Sequence, residues 1–264
     1  MAGFDQTQTT EKKVKAYLSA DIDEQKLHFY QTVRSTNQTA KEMALTGAKS
    51  GSFVIADAQT GGRGRGDNRF FSPAGGIYLS VIYKEKPGGC LADYLTVAGC
   101  AVTVRAIEAV IGVQCGIKWV NDLFVRGKKV CGILAESVFR GKTRYMILGI
   151  GINLFMPSEG FPKDLPRAGA VLDTPPDGDL RARLIAGMID GLTLLGREKD
   201  FDDYVKTYRE RSMIISNDVV VTDGDECVRG VVRGFDDYGY LILETDGGRR
   251  IISAGTLRLA DEQE

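Results

Sequence analysis

The run Gln59-Thr60-Gly61-Gly62-Arg63-Gly64-Arg65-Gly66-Asp67-Asn68-Arg69 carries the strongest chemical signal in the chain. Its glycines let backbone N–H groups turn inward and form an anion-binding concavity. Its arginines offer paired donors shaped for phosphate or carboxylate. The run lies between two apolar stretches, Ser52 to Ala58 and Ile77 to Tyr83, so it reads as an irregular loop held at both ends by a sheet. The Walker A order is absent, and a strand follows where a dinucleotide fingerprint needs a helix. A solvated RGG-like loop is the other reading of the same residues.

Lys118-Trp119-Val120-Asn121-Asp122 forms a second constellation, followed by Gly127-Lys128-Lys129-Val130-Cys131-Gly132. Read as one strand, it puts Lys118 and Val120 on one face and Trp119 and Asn121 on the other. A lysine beside an Asn-Asp pair suits a nucleotide phosphate with Mg²⁺. A surface lysine and an Asn-Asp turn fit the same letters. In Gly149-Ile150-Gly151-Ile152-Asn153, both glycines point to one strand face together with Asn153. That leaves room for a flat ligand or for close packing.

These residues need a scaffold, and the rest of the chain supplies one. Lys26 to Val33 reads as a strand and Ser35-Thr36-Asn37 as a helix-capping group, with Gly47 closing the helix. Cys90 to Ile111 carries three charges and predicts a buried central helix. Ile117 to Val125, Lys129 to Phe139 and Arg144 to Phe155 read as strands joined by tight hairpins, which favours an antiparallel sheet. After a Pro/Gly-rich connection, Leu180, Leu184, Met188, Leu192 and Leu195 mark one helix face, and Phe201 to Arg211 a second helix. Beyond Ser212 come short β runs, at Val219 to Val221, Cys227 to Gly234, Tyr240 to Thr245 and Arg250 to Ser253, punctuated by Gly/Asp turns. They predict a small barrel. The expectation is an α+β fold: a polar lead-in over residues 1–25, an α+β domain with a largely antiparallel sheet over 26–212 and a β-barrel over 213–264.

Composition excludes several function classes. The chain has 264 residues with 34 Lys+Arg against 35 Asp+Glu, so it lacks the basic excess of a nucleic-acid binder. One histidine, His28, leaves no Ser-His-Asp triad, Cys-His dyad or multi-histidine metal site. Five cysteines without a C-x-x-C read as reduced thiols in a cytoplasm. The N-terminus has no apolar signal core, and no membrane association is expected.

Taken in order, these motifs resemble those of biotin protein ligases. The matching residues are Ser35-Thr36-Asn37, Gly62-Arg63-Gly64-Arg65, Ser72-Pro73, Gly75 to Ser80, Lys118 to Asp122, Gly127 to Leu134 and Gly149 to Asn153. The resemblance covers about residues 26–260. It implies a class II synthetase-like catalytic domain with an SH3-like C-terminal barrel. It also implies an enzyme that activates biotin with MgATP as biotinyl-5′-adenylate. A lysine of a biotin carboxyl carrier domain would then receive the biotinyl group. Oriented positive charge at an in-line phosphorus serves that chemistry without a histidine base.

The resemblance also implies roles. Ser35, Thr36 and Asn37 line the biotin pocket, and Gln59 reaches biotin from a strand end. Gly62, Arg63, Gly64 and Arg65 belong to the loop that closes over biotin and adenylate. Lys129 approaches the biotin carboxylate and then the acyl phosphate, so Arg65, Lys118 and Lys129 are the expected catalytic cations. Lys118 and Asn121 face the nucleotide phosphates, with Asp122 as the Mg²⁺ partner. Gly132, Gly149 and Gly151 give the pocket room, and Asn153 sits with Gly151 on the adenylate side.

Phe70 stands where many members have tryptophan against the adenine. Asn68 stands where an arginine meets the α-phosphate, with Arg69 one position later. Only about 25 residues precede the first strand, so a dedicated ligase without DNA binding is expected. Members often pair as homodimers through sheet edges. Lipoate-protein ligase is the neighbouring alternative, an RGG-type RNA-binding module the distant one.

Overall fold

The computed structural model describes residues 6–19, 22–175 and 178–260; parts of the expected lead-in, the Pro/Gly-rich connection and the C-terminal tail lie outside them. A seven-stranded sheet forms the frame, in spatial order β1-β2-β3-β7-β6-β5-β4. Its strands are β1 (Leu27–Val33), β2 (Ser52–Gln59), β3 (Ile77–Lys84), β4 (Gly116–Lys118), β5 (Asp122–Val125), β6 (Lys128–Arg140) and β7 (Thr143–Ile152). Only β1 and β2 run parallel; the helix that crosses between them, α2 (Thr36–Thr46), packs on β2, β3, β6 and β7. Every other pairing is antiparallel. Arg126 and Gly127, both at positive φ, turn β5 into β6.

One expectation fails here. Ile117 to Val125 is two short strands with a turn at residues 119–121, closed by the pair Lys118↔Asp122. Strand alternation therefore does not set the faces of Trp119, Val120 and Asn121. Trp119 is buried, and its Nε1 donates to the Gly239 carbonyl at 3.3 Å.

The other helices cover the frame. α3 (Leu91–Ile111) packs on β5, β6 and β7 and against α4 (Leu180–Leu195) and α5 (Asp202–Glu210). By length and composition α3 could cross a membrane, but 61% of its most apolar window is buried, as a core helix requires. Leu184, Met188, Leu192 and Leu195 on α4 are fully buried. The N-terminal lead-in is helical over most of its described part. It forms α1 (Gln6–Tyr17), which buries Val14 against the fold, ties Lys13 and Tyr17 to Asp179 and ties Ser19 to Asp190.

The C-terminal strands β8 (Asp218–Asp223), β9 (Glu226–Phe235), β10 (Leu241–Thr245), β11 (Gly248–Ile252) and β12 (Thr256–Leu259) form an antiparallel sheet in order β11-β10-β9-β8-β12. β12 was not anticipated: Thr256–Leu259 alternates like a strand but is too short to stand out. Val219, Val232, Leu241 and Leu243 share one apolar core with α3 and the large sheet.

Glu108 on α3 helps to join the two parts. Its carboxylate takes both Nε and Nη2 of Arg211 at 2.9 Å, just before the C-terminal strands. Those hydrogen bonds hold the Glu108 carboxyl below its usual range. The pair therefore contributes stability above the unfolded carboxyl pKa, and loses it as pH falls through the folded one. Glu108→Gln is expected to cost about 1 kcal/mol at pH 7. Urea midpoints of variant and wild type should converge below pH 4.5; a constant gap would overturn the assignment.

Candidate active site

Over the faces of β6 and β7 lies an open cleft of about 320 Å³. Its far end is set by α2. Ser35 is the N-cap of α2, but its side chain makes no capping bond. The polar side chains of the first turn point into the fold instead. Ser80 Oγ donates to Asn37 Oδ1 at 2.7 Å and lies 2.8 Å from Thr36 Oγ1. Thr36 donates N–H to Gln59 Oε1 at 2.8 Å, and Gln59 Nε2 donates to Ser72 Oγ at 2.9 Å. Ser35, Thr36, Asn37, Ser72 and Ser80 are all buried, so the network's hydrogen bonds offset a desolvation cost of about 1–3 kcal/mol per group.

Three glycines make the floor. Gly132 on β6 and Gly151 on β7 are registered partners, with Gly149 two residues away. A Cβ on Gly149 would lie 2.1 Å from Asn37 Oδ1, and one on Gly151 would lie 2.6 Å from the Phe70 ring. The glycines thus admit Asn37 and Phe70. Phe70 is turned edge-on to Tyr78, ring centres 6.4 Å apart.

The loop between β2 and β3 is less irregular than expected. Arg63 and Arg69 form an antiparallel bridge, and Gly64 N–H donates to the Asn68 carbonyl at 2.8 Å. Asn68 Nδ2 donates to the Arg65 carbonyl at 2.9 Å, closing the tip. Arg65 reaches across to the C-terminal sheet, where Nη2 donates to the Gly255 carbonyl and the Thr256 hydroxyl. The loop's end is fixed from behind. Arg181 on α4 donates to the Gly76 carbonyl and pairs with Asp57 at 2.9 Å. Burial pushes the Asp57 carboxyl up and the Arg181 guanidinium down, but the pair holds.

On the opposite rim, Lys129 Nζ lies 2.6 Å from Asp122 Oδ1. Asn121 Nδ2 donates to the Ile133 carbonyl at 2.7 Å, which holds the turn against β6. Among the described residues, no group of three His, Cys, Asp or Glu side chains forms a metal cage. Burial pushes the thiols of Cys100 and Cys131 up, and that of Cys115 up to about 12, so these are packed thiols and not thiolates at neutral pH.

The cleft thus gathers Ser35, Thr36, Asn37, Gln59, Arg63, Gly64, Arg65, Asn68, Arg69, Phe70, Asn121, Asp122, Lys129, Gly132, Gly149 and Gly151. Three expected residues are not in its lining. Gly62 is buried in the loop's base, where a Cβ would meet the Phe70 carbonyl at 2.5 Å. Asn153 lies beyond the end of β7, with Nδ2 donating to the Gly169 carbonyl at 3.0 Å. Lys118 is held in the β4–β5 hairpin opposite Asp122. Conversely, sequence reasoning gave no role to Ser80, a hydroxyl within the buried run of β3, or to Thr256, which no local signal marks.

Residues 29–153 match the model of the biotin/lipoate A/B protein ligase family, and residues 217–256 match the biotin protein ligase C-terminal domain. The bifunctional ligase/repressor BirA of Bacillus spizizenii is 32% identical over 260 residues, covering 95% of this chain and 79% of that protein. The chain belongs to the biotin protein ligase family. The biotin--[acetyl-CoA-carboxylase] ligase of Mycobacterium tuberculosis is 32% identical over 84% of each chain. Among solved structures, the biotin protein ligase of Aquifex aeolicus in complex with biotin and ATP matches with a TM-score of 0.72 at 25% identity, over 89% of this chain and 99% of that one. In this member of the biotin protein ligases the loop, Asn121 and Asp122 of the K-W-x-N-D turn and the glycine floor line a single cleft, together with Thr256 of the C-terminal sheet.

Proposed function

We propose that the chain activates biotin with MgATP and transfers the biotinyl group to a lysine of a carrier domain in a biotin-dependent carboxylase. The lining of the cleft carries this reading. It combines an uncharged hydrogen-bonding wall at Asn37, Thr36 and Gln59 with the cations Lys129, Arg63, Arg65 and Arg69. A ligand with a neutral polar head and a carboxylate tail fits that combination, the head at Asn37 and the carboxylate at Lys129. Triphosphate then lies along the arginine loop. The biotin carboxylate oxygen attacks the α-phosphorus and pyrophosphate leaves. The ε-amine of the carrier lysine next attacks the acyl carbon, releasing AMP and forming an amide.

Among the described residues, Asp122 is the one carboxylate lining the cleft. A single carboxylate fits Mg²⁺ that arrives with the nucleotide's phosphates and keeps most of its waters. We propose Asp122 and the phosphates as its holders, where the ion would neutralise developing charge. Arg69 stands in the cleft with Asn68, whose amide closes the loop; we assign the α-phosphate charge to Arg69. Residues 213–264 act as a lid support through Thr256 and the Arg65 contact.

Biotin-dependent ATP–pyrophosphate exchange, with lipoate and octanoate alongside, tests the reading. Exchange with biotin alone upholds it. Exchange with lipoate or octanoate moves the chain to the lipoate side of the family. Arg65→Ala is expected to release adenylate to water several times faster, since it loosens the loop from the C-terminal sheet. Quenched-flow measurement of free against bound adenylate checks this, and unchanged release would remove Arg65 from the loop's closure.

A further inference from the structure

Asn37 is the buried carboxamide of the α2 first turn; Gln38 beside it is exposed. Which of its two polar atoms faces the cleft decides what the wall can recognise. Its Nδ2 donates to Glu136 Oε2 at 2.8 Å and to the Leu134 carbonyl at 3.3 Å. A carboxylate and a carbonyl only accept, so both partners demand an N–H. Both amide hydrogens are therefore spent on β6. Oδ1 is left toward Ser80 and the space above Gly149, with one lone pair used by the serine.

Glu136 is itself clamped. Lys41 lies one turn after Asn37 on α2, and its Nζ pairs with Glu136 Oε1. Glu136 thus has one oxygen on the lysine and the other on the amide. Both side chains are about three-quarters covered, at 22% and 24% exposed. Neither residue lines the cleft.

We propose that Glu136, clamped by Lys41, is a positioning residue that fixes Asn37 as a hydrogen-bond acceptor, making this end of the cleft select a ligand head that donates N–H. The proposal rests on the reading that the biotin head sits at Asn37. Without Glu136, only the Leu134 carbonyl, at the longer distance of 3.3 Å, still demands an N–H, so the amide is held less firmly against a 180° rotation that would present N–H to the ligand's own N–H, which is repulsive. Ser80 alone does not prevent the rotation, because a hydroxyl can donate or accept.

The test measures KM for biotin and for ATP in pyrophosphate exchange, with thermal melting, for Glu136→Met, Glu136→Gln/Lys41→Met and Asn37→Ala. Met keeps the length of the stem at 136 but accepts no hydrogen bond; in the double variant Gln keeps one acceptor oxygen, and Lys41→Met leaves that oxygen to the Asn37 amide. Glu136→Met is expected to raise the biotin KM about tenfold, with the ATP KM and kcat unchanged. Glu136→Gln/Lys41→Met is expected to stay within about threefold of wild type. An unchanged biotin KM in Glu136→Met, a matching rise in the ATP KM, or an equal defect in Glu136→Gln/Lys41→Met each overturns the proposal. Asn37→Ala separates the two levels. If it raises the biotin KM while Glu136→Met does not, only the positioning role fails. If it too leaves the biotin KM unchanged, the placement of the biotin head fails, and the proposal with it.

Discussion

Lys129→Ala raises the biotin KM in pyrophosphate exchange by about ten- to a hundredfold, the loss of a charge-assisted contact of about 1.5–3 kcal/mol. The backbone presents this lysine from both sides. Its N–H donates to the Arg167 carbonyl at 2.8 Å, and its carbonyl accepts from Gly169 at 2.9 Å. The ammonium therefore stands on a fixed stem at the rim of the cleft. The ammonium pairs with Asp122 at 2.6 Å. Removing the lysine withdraws the cation from the incoming carboxylate. Biotin titrations at saturating MgATP read the variant. A wild-type KM would remove Lys129 from the carboxylate site.

Gly149→Ala is expected to damage binding and stability together. The added Cβ would sit 2.1 Å from Asn37 Oδ1 and 2.7 Å from its Cγ. Contacts that short force a shift, and Asn37 has nowhere cheap to go, because Ser80, Glu136 and the Leu134 carbonyl hold all its polar atoms. Nor can the strand yield readily: β7 is paired on both sides, with Ser80 and Leu134 as the register partners of Gly149. Overpacking of this kind costs about 1–3 kcal/mol, and each kcal/mol lowers Tm by about 2–4 °C in a chain of this size. The displaced amide should also raise the biotin KM at least tenfold, by the arithmetic of one lost buried hydrogen bond of about 1.5 kcal/mol. Calorimetry and biotin titration of one preparation check both. A normal Tm with a normal KM would mean that Asn37 is not held as described.

Much of this was legible in the chain. The segment from Ser52 to Tyr83 announces its strands by β-branched apolar runs and its loop by glycine and arginine, signals that need no tertiary context. The helix at Leu180 showed itself by period alone. Where the reading failed, a non-local contact had overridden a local pattern. Ile117 to Val125 has the composition of one strand, but the pairing Lys118↔Asp122 folds it into a hairpin and turns Trp119 toward Gly239. Asn153 sits in phase with Gly149 and Gly151 by sequence. The chain leaves β7 at Ile152, however, and the side chain goes to the Gly169 carbonyl.

By itself, the sequence determined the ordered motifs that resemble those of biotin protein ligases, and most of the residues in them line the cleft. Arginine, lysine and glycine in that order have a charge and a backbone freedom that any fold must respect. Only the tertiary structure decided how those residues are used. It took Gly62 out of the cleft and made it a close-packing point. It filled the glycine floor with Asn37 and Phe70, brought Thr256 to the edge and set Glu136 behind Asn37. Each of these depends on which atoms meet across separations such as the 99 residues between Asn37 and Glu136. Strand register and helix packing set those meetings, and both arise from burial of the whole core and not from any local pattern.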